Sequence, residues 1–66
     1  MATQTYTFNS AAIASIGYDD ELEDLTVYFT NGGSYDYAGV PRSVIQGWIK
    51  AASPGRYFHS YIKGSY

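Results

Sequence analysis

The stretch LTVYFTNGGSYDYAGVP, Leu25 to Pro41, does most to decide how this chain folds. In its first part Leu25, Val27 and Phe29 alternate with Thr26, Tyr28 and Thr30. β-Branched and aromatic residues at period two read as a strand with one apolar face. Asn31-Gly32, with Gly33 behind it, is a strong hairpin signal, because both central residues of a two-residue turn must reach positive φ. The chain returns as SYDYA, Ser34 to Ala38, which places Tyr35 and Tyr37 on one face of a second strand. At Pro41 the period changes.

Upstream, AIASIGYD (Ala12 to Asp19) puts Ala14, Ile16 and Tyr18 on one face by alternation, and the acidic run DDELED reads as a solvated connection to Leu25. Three antiparallel strands in succession make a meander. Before Ile13 the reading divides. TYTF (Thr5 to Phe8) alternates like a short edge strand, and residues 1–11 would serve equally as a loose arm.

Downstream, proline fits the first position of a helix, where its missing N–H has no partner to lose. Val44, Ile45, Trp48, Ile49 and Ala52 follow a helical stripe from Pro41 onward, with Arg42, Gln46 and Lys50 opposite. Gly47 within this helix costs ~1 kcal/mol against alanine; it suits either close approach by another group or simple tolerance. Ser53-Pro54 restarts the pattern as an N-cap followed by a first-turn proline. Tyr57, Phe58, Tyr61 and Ile62 continue it, and Gly64 ends it. The expected fold is α+β, a three-stranded antiparallel β-meander followed by two C-terminal helices packed on one face.

Sixty-six residues without cysteine make one domain with no disulfide and no thiolate metal site. A chain this short buries only ~60% of its unfolded surface. The aromatic share of 18% offsets that by making each core residue large. No apolar run approaches the ~20 residues that span a bilayer, and MATQTYTF is no secretory signal. The expectation is a soluble cytoplasmic protein. All six acidic residues fall between Asp19 and Asp36, and all four basic ones (Arg42, Lys50, Arg56 and Lys63) follow. That separation yields either two surfaces of opposite potential or two halves that attract each other.

At this point the chain resembles a known family, the KTSC domain, a short module at the C-terminus of some lysyl-tRNA synthetases that also occurs alone in bacteria and phages. The likeness rests on IASIGYD (Ile13 to Asp19), on LTVYFTNGGSYDYAGVP, on AASPG around Ser53, and on the terminal YFHSYIKGSY. Tyr35 and Tyr37 meet the family's tyrosine-x-tyrosine motif, and Val40 and Pro41 its valine-proline. Two positions depart from the pattern. The resemblance leads to asparagine where His59 stands and arginine where Lys63 stands, so a ligand touching those positions would differ here. It implies a domain without an established activity; RNA binding is an inference from the attached synthetase alone.

Catalysis finds little support. There is one histidine, His59, and its neighbour Ser60 would not face it on a helix. The acids of DDELED lack the register of a calcium loop, and no glycine loop cradles phosphate. No cofactor or metal is expected. A non-catalytic binding module remains, acting on a protein as adaptor or inhibitor of a host factor, or alternatively on RNA. Candidate contacts are Tyr28, Tyr35 and Tyr37 on the sheet and Arg42, Lys50, Arg56 and Lys63 on the helices. Were the two sheet tyrosines to join Tyr28 outside, the three would form a stacking platform; turned inward they are packing, which so small a core favours. Four cations on one face beside aromatics would favour RNA, and a scattered set would remove that reading. The acidic balance leans toward protein.

Overall fold

A computed structural model describes residues 3–66; Met1 and Ala2, which belong to the expected arm or edge strand, lie outside the described residues. The chain forms an antiparallel sheet of four strands in the order β1-β2-β3-β4, a continuous meander, followed by helices. The strands are β1 (Thr3–Thr7), β2 (Ile13–Asp19), β3 (Asp24–Phe29) and β4 (Ser34–Tyr37). The fourth strand is β1, the alternating segment before Ile13, which pairs with β2 along its whole length. Helix α1 spans Arg42–Lys50; α2 (Pro54–Tyr57) runs directly into a π-helical turn, Phe58–Ile62. The expected α+β fold holds, with four strands in place of the three-stranded meander.

Cross-strand partners share a sheet face. The face covered by the helices carries Ile16 and Tyr18 of β2, opposite Val27 and Leu25 of β3, opposite Tyr35 and Tyr37 of β4. One correction lies in β2. Plain alternation puts Ala14 on the core face, yet Ile13 is buried and Ala14 only half-buried. Ile13 pairs with Phe29 and Ser15 with Tyr28, so β2 holds one residue more than β3 across this step. This β-bulge at Ala14 shifts the phase and brings Ile13 and Ile16, three apart, to the same side.

The β3–β4 turn also differs from the two-residue form. Gly32 has φ 96° and Asn31 is not in the left-handed region. The Gly32 N–H donates to the Phe29 carbonyl at 3.1 Å, and the Phe29 N–H to the Gly33 carbonyl at 2.8 Å. That is a three-residue loop, Thr30 to Gly32, in which only the last residue needs positive φ. Asn31 contributes through its side chain, accepting from the Gly33 N–H at 3.0 Å. The acidic connection is closed in similar fashion: the Asp19 carboxylate accepts from the Glu21 and Leu22 N–H groups, and Glu23 takes φ 55°.

The core joins Ile13, Ile16, Tyr18, Leu25 and Val27 of the sheet to Val40, Ile45, Trp48, Phe58 and Ile62. Trp48 is wholly buried, as its place on the stripe predicts. Its Nε1–H donates to the Pro54 carbonyl, and its ring stacks on Phe8, Tyr57 and Phe58. Three details of the helices depart from the pattern. Pro41 is the N-cap rather than the first helical residue. Ile49 is exposed, and Ala52 lies past the helix end and is exposed too. Ala52 falls off the stripe because α1 stops at Lys50. Ser53 caps α2 as expected, its hydroxyl accepting from the Arg56 N–H at 3.4 Å, with Pro54 in the first turn. Among the described residues no helix is long and apolar enough to cross a membrane.

Candidate binding cleft

The two tyrosines of β4 share the inner face but have different surroundings. Tyr37 is half-buried, edge-on to Phe58 with ring centroids 6.0 Å apart. Tyr35 packs edge-on against Phe29 and is still 63% exposed. Tyr28 is on the opposite face, beside Gly17. The three-tyrosine platform does not assemble: the ladder places Tyr28 outside and the β4 pair inside. Tyr35 and Tyr37 are therefore neither pure core nor pure platform. Each packs on a phenylalanine, and both line an opening.

That opening is the largest of the three grooves described, about 610 Å³. The sheet lines it with Tyr35, Tyr37 and Phe29, and the C-terminal segment with Phe58, His59 and Lys63. The β3–β4 turn adds Asn31 and Gly33 to the lining. The C-terminal helix supplies its side by widening. The Lys63 N–H donates to the Phe58 carbonyl at 2.8 Å, a five-residue step. Single π turns of this kind occur frequently at functional sites. Within it Phe58 and Ile62 are buried, whereas His59 and Lys63 remain exposed and reach the cleft.

The electrostatics follow from this lining. Burial, with Tyr35 beside it, pushes the Tyr37 phenol above its ordinary value. Its ring is therefore neutral at physiological pH. Among the described residues no carboxylate lines the cleft. Asp36 is on the outer face of β4, where it accepts from the Thr26 hydroxyl at 2.8 Å. Lys63 brings a cation to the cleft, with the His59 imidazole beside it in the lining.

The other basic candidates are placed elsewhere. Arg42 stands 3.8 Å from Asp20 at the β2–β3 turn, the far end of β3 from Lys63. Arg56 lines a separate groove of about 330 Å³ with Tyr57, Ser60 and Tyr61. Lys50 ends α1 and lines none of the three grooves. No groove described holds two of the four.

Residue reading alone treats Phe58 as helix stripe and His59 as surface, and so misses both as cleft residues. The signal that marks His59 and Lys63 is the departure from the resembled pattern. Two positions flagged for that reason lie beside the tyrosine-x-tyrosine motif in space, although more than twenty residues separate them in sequence. Among the described residues no three His, Asp or Glu side chains are grouped as metal ligands.

Comparison with known proteins agrees with this architecture. The KTSC domain model matches residues 9–66. A protein of Stutzerimonas stutzeri is 41% identical over 54 residues, 82% of this chain and 76% of that protein. A lysine–tRNA ligase of Nostoc punctiforme is 34% identical over 56 residues, covering 85% of this chain but only 10% of the ligase. The crystal structure of a KTSC domain protein from Yersinia pestis superimposes with a TM-score of 0.90 at 41% identity, over 97% of this chain and 90% of that one. The chain belongs to the KTSC domain family.

Proposed function

We propose that this domain is a non-catalytic binding module that holds a protein ligand in the cleft between β4 and the C-terminal helix. One observation carries the reading: Tyr35, Tyr37, Phe58, His59 and Lys63, drawn from two distant parts of the sequence, line a single open groove. Aromatic rings beside a lysine in an open groove are the composition of an interaction site. A hydrolytic or transfer role is disfavoured, since among the described residues no side chain hydrogen-bonds to the His59 ring, which stands edge-on to Phe58.

RNA is the second reading, favoured by the tRNA ligases among the relatives and by tyrosines beside a lysine, which suit a stacked base next to a phosphate. Against it, phosphate contact supplies most non-specific affinity, and the four cations are divided among separate places.

The test is a titration of the purified domain with labelled single-stranded RNA and with tRNA, starting at low salt, beside a selection of random phage-displayed peptides on the same protein. Peptides displaced by Tyr35→Ala or Lys63→Glu support the protein reading. RNA binding that weakens steadily with salt and is lost on Lys63→Glu transfers the cleft to RNA. Ligands of either kind that ignore both substitutions sink the cleft as the site.

A further inference from the structure

The cleft is bordered by a sheet edge. β4 is the last strand of the sheet, and among the described residues no strand neighbours its far side. Antiparallel ladders alternate between hydrogen-bonded and non-hydrogen-bonded pairs. The Phe29–Gly33 bond fixes the phase, so Tyr35 and Tyr37 turn their backbone groups toward Val27 and Leu25. Ser34 and Asp36, both exposed, turn theirs outward. An unpaired edge of this kind is a template for another strand.

We infer, on the basis of the cleft reading above, that the ligand is an extended peptide with one inward-facing carboxylate that adds to β4 as a fifth strand. Its main chain bonds to Ser34 and Asp36, and its inward side chains enter the cleft. Charge sets the chemistry of those side chains. The inward positions, at period two, meet Tyr35, Tyr37 and Phe58 and then Lys63 and His59, which suits apolar residues alternating with a carboxylate. The outward positions meet Asp36, which rejects acids there and accepts hydroxyl or basic residues. β1 is the other edge, but none of the grooves described is lined by its residues, and β1 itself carries no charge. β4 is the edge with both a pocket and a countercharge. A second copy of the chain fits less well, since its own edge strand SYDY would present Asp36 against Asp36.

The probe is a fluorescein-labelled peptide of alternating design, Thr-Phe-Lys-Glu-Thr-Ile-Thr with blocked ends, titrated against the intact domain while amide resonances are followed. Saturable binding that shifts Ser34, Tyr35, Asp36 and Lys63 is the expected result. Exchanging the peptide's Glu for Gln should weaken it roughly threefold to fivefold at low salt, the scale of one partly exposed ion pair. Ser34→Pro removes an outward N–H at the first residue of the strand, where proline is tolerated; it should weaken binding roughly tenfold, as should N-methylation of the peptide. Thermal melts of Ser34→Pro check that the fold survives, and the N-methylated peptide carries the test if it does not.

Binding at the cleft that is indifferent to Glu, to N-methylation and to Ser34→Pro overturns strand addition while leaving the module reading in place. So does binding there by RNA but not by the peptide. Shifts confined to the Tyr28 face, or self-association of the free domain through β4, also overturn it. Absence of any cleft ligand among peptides and RNA brings down both readings.

Discussion

Gly47 and Tyr57 share one volume: a Cβ at residue 47 would lie 2.7 Å from the Tyr57 hydroxyl, which donates to the Val44 carbonyl at 2.8 Å. The glycine in the middle of α1 is thus the place where α2 rests its ring. Gly47→Ala gains ~1 kcal/mol of helix propensity but forces Tyr57 aside and costs about 1–3 kcal/mol of overpacking, including the hydrogen bond. We expect a net loss. In a Tyr57→Ala background the clash is absent, and the same substitution should stabilise by about 1 kcal/mol. Urea melts of the four proteins in this cycle measure the coupling. A sign that does not reverse would show that Gly47 is merely tolerated.

Tyr18 is buried and its hydroxyl donates to the Val40 carbonyl at 2.6 Å, tying β2 to the segment that enters α1. Tyr18→Phe leaves that carbonyl buried without its donor and should cost about 1–3 kcal/mol.

The same residue predicts an alkaline limit. Burial, reinforced by Glu23 and Asp20, pushes the Tyr18 phenol above its ordinary value of 10.0, and burial does the same for Tyr37 and Tyr57. Each is a group whose native state holds its proton more tightly than the unfolded chain does. Below about pH 10 both states are protonated and stability is unaffected. Above it the unfolded chain ionises first, so stability falls as pH rises through the native values. Melting temperature should be flat from pH 7 to 9 and drop beyond 10, less steeply in Tyr18→Phe.

Glu23 holds φ 55° without being glycine, a conformation that costs roughly 1–2 kcal/mol for a residue with a Cβ. Glu23→Gly should therefore raise stability by up to about 1 kcal/mol, after the extra unfolded-state freedom is deducted. Gly32→Ala, at φ 96°, should lower it by about 1–2 kcal/mol. Chemical denaturation of both variants checks the opposite signs.

Arg42 and Asp20, 3.8 Å apart and both substantially exposed, make an ion pair that solvent screens. Arg42→Ala should change stability by less than about 1 kcal/mol at moderate salt. A larger loss would mean that the pair fastens the acidic turn to α1.

The period-two strands, the capped second helix and the burial of Trp48 are all legible in sequence, because each depends on neighbours a few residues away. Ser53-Pro54 reads as a helix start for a local reason, and so does Gly64, at φ 85°, as a helix stop. β1 is ambiguous on its own, because TQTYT becomes a strand only by pairing with β2, which local pattern does not encode. The bulge at Ala14 is hidden for the same reason: alternation assumes an unbroken ladder, and its phase is set by Phe29 and Tyr28 on the partner strand.

The cleft divides along the same line. Sequence determined that Tyr35 and Tyr37 point the same way, since residues two apart on a strand must. Tertiary structure alone decided which way, by setting Tyr35 against Val27 in the ladder and Phe58 against Tyr37 across the core. It alone brought His59 and Lys63 to the same groove, because their position follows from how the C-terminal helix packs over the sheet. Short-range stereochemistry is written in short stretches of chain; the meeting of distant surfaces is settled only when the core closes.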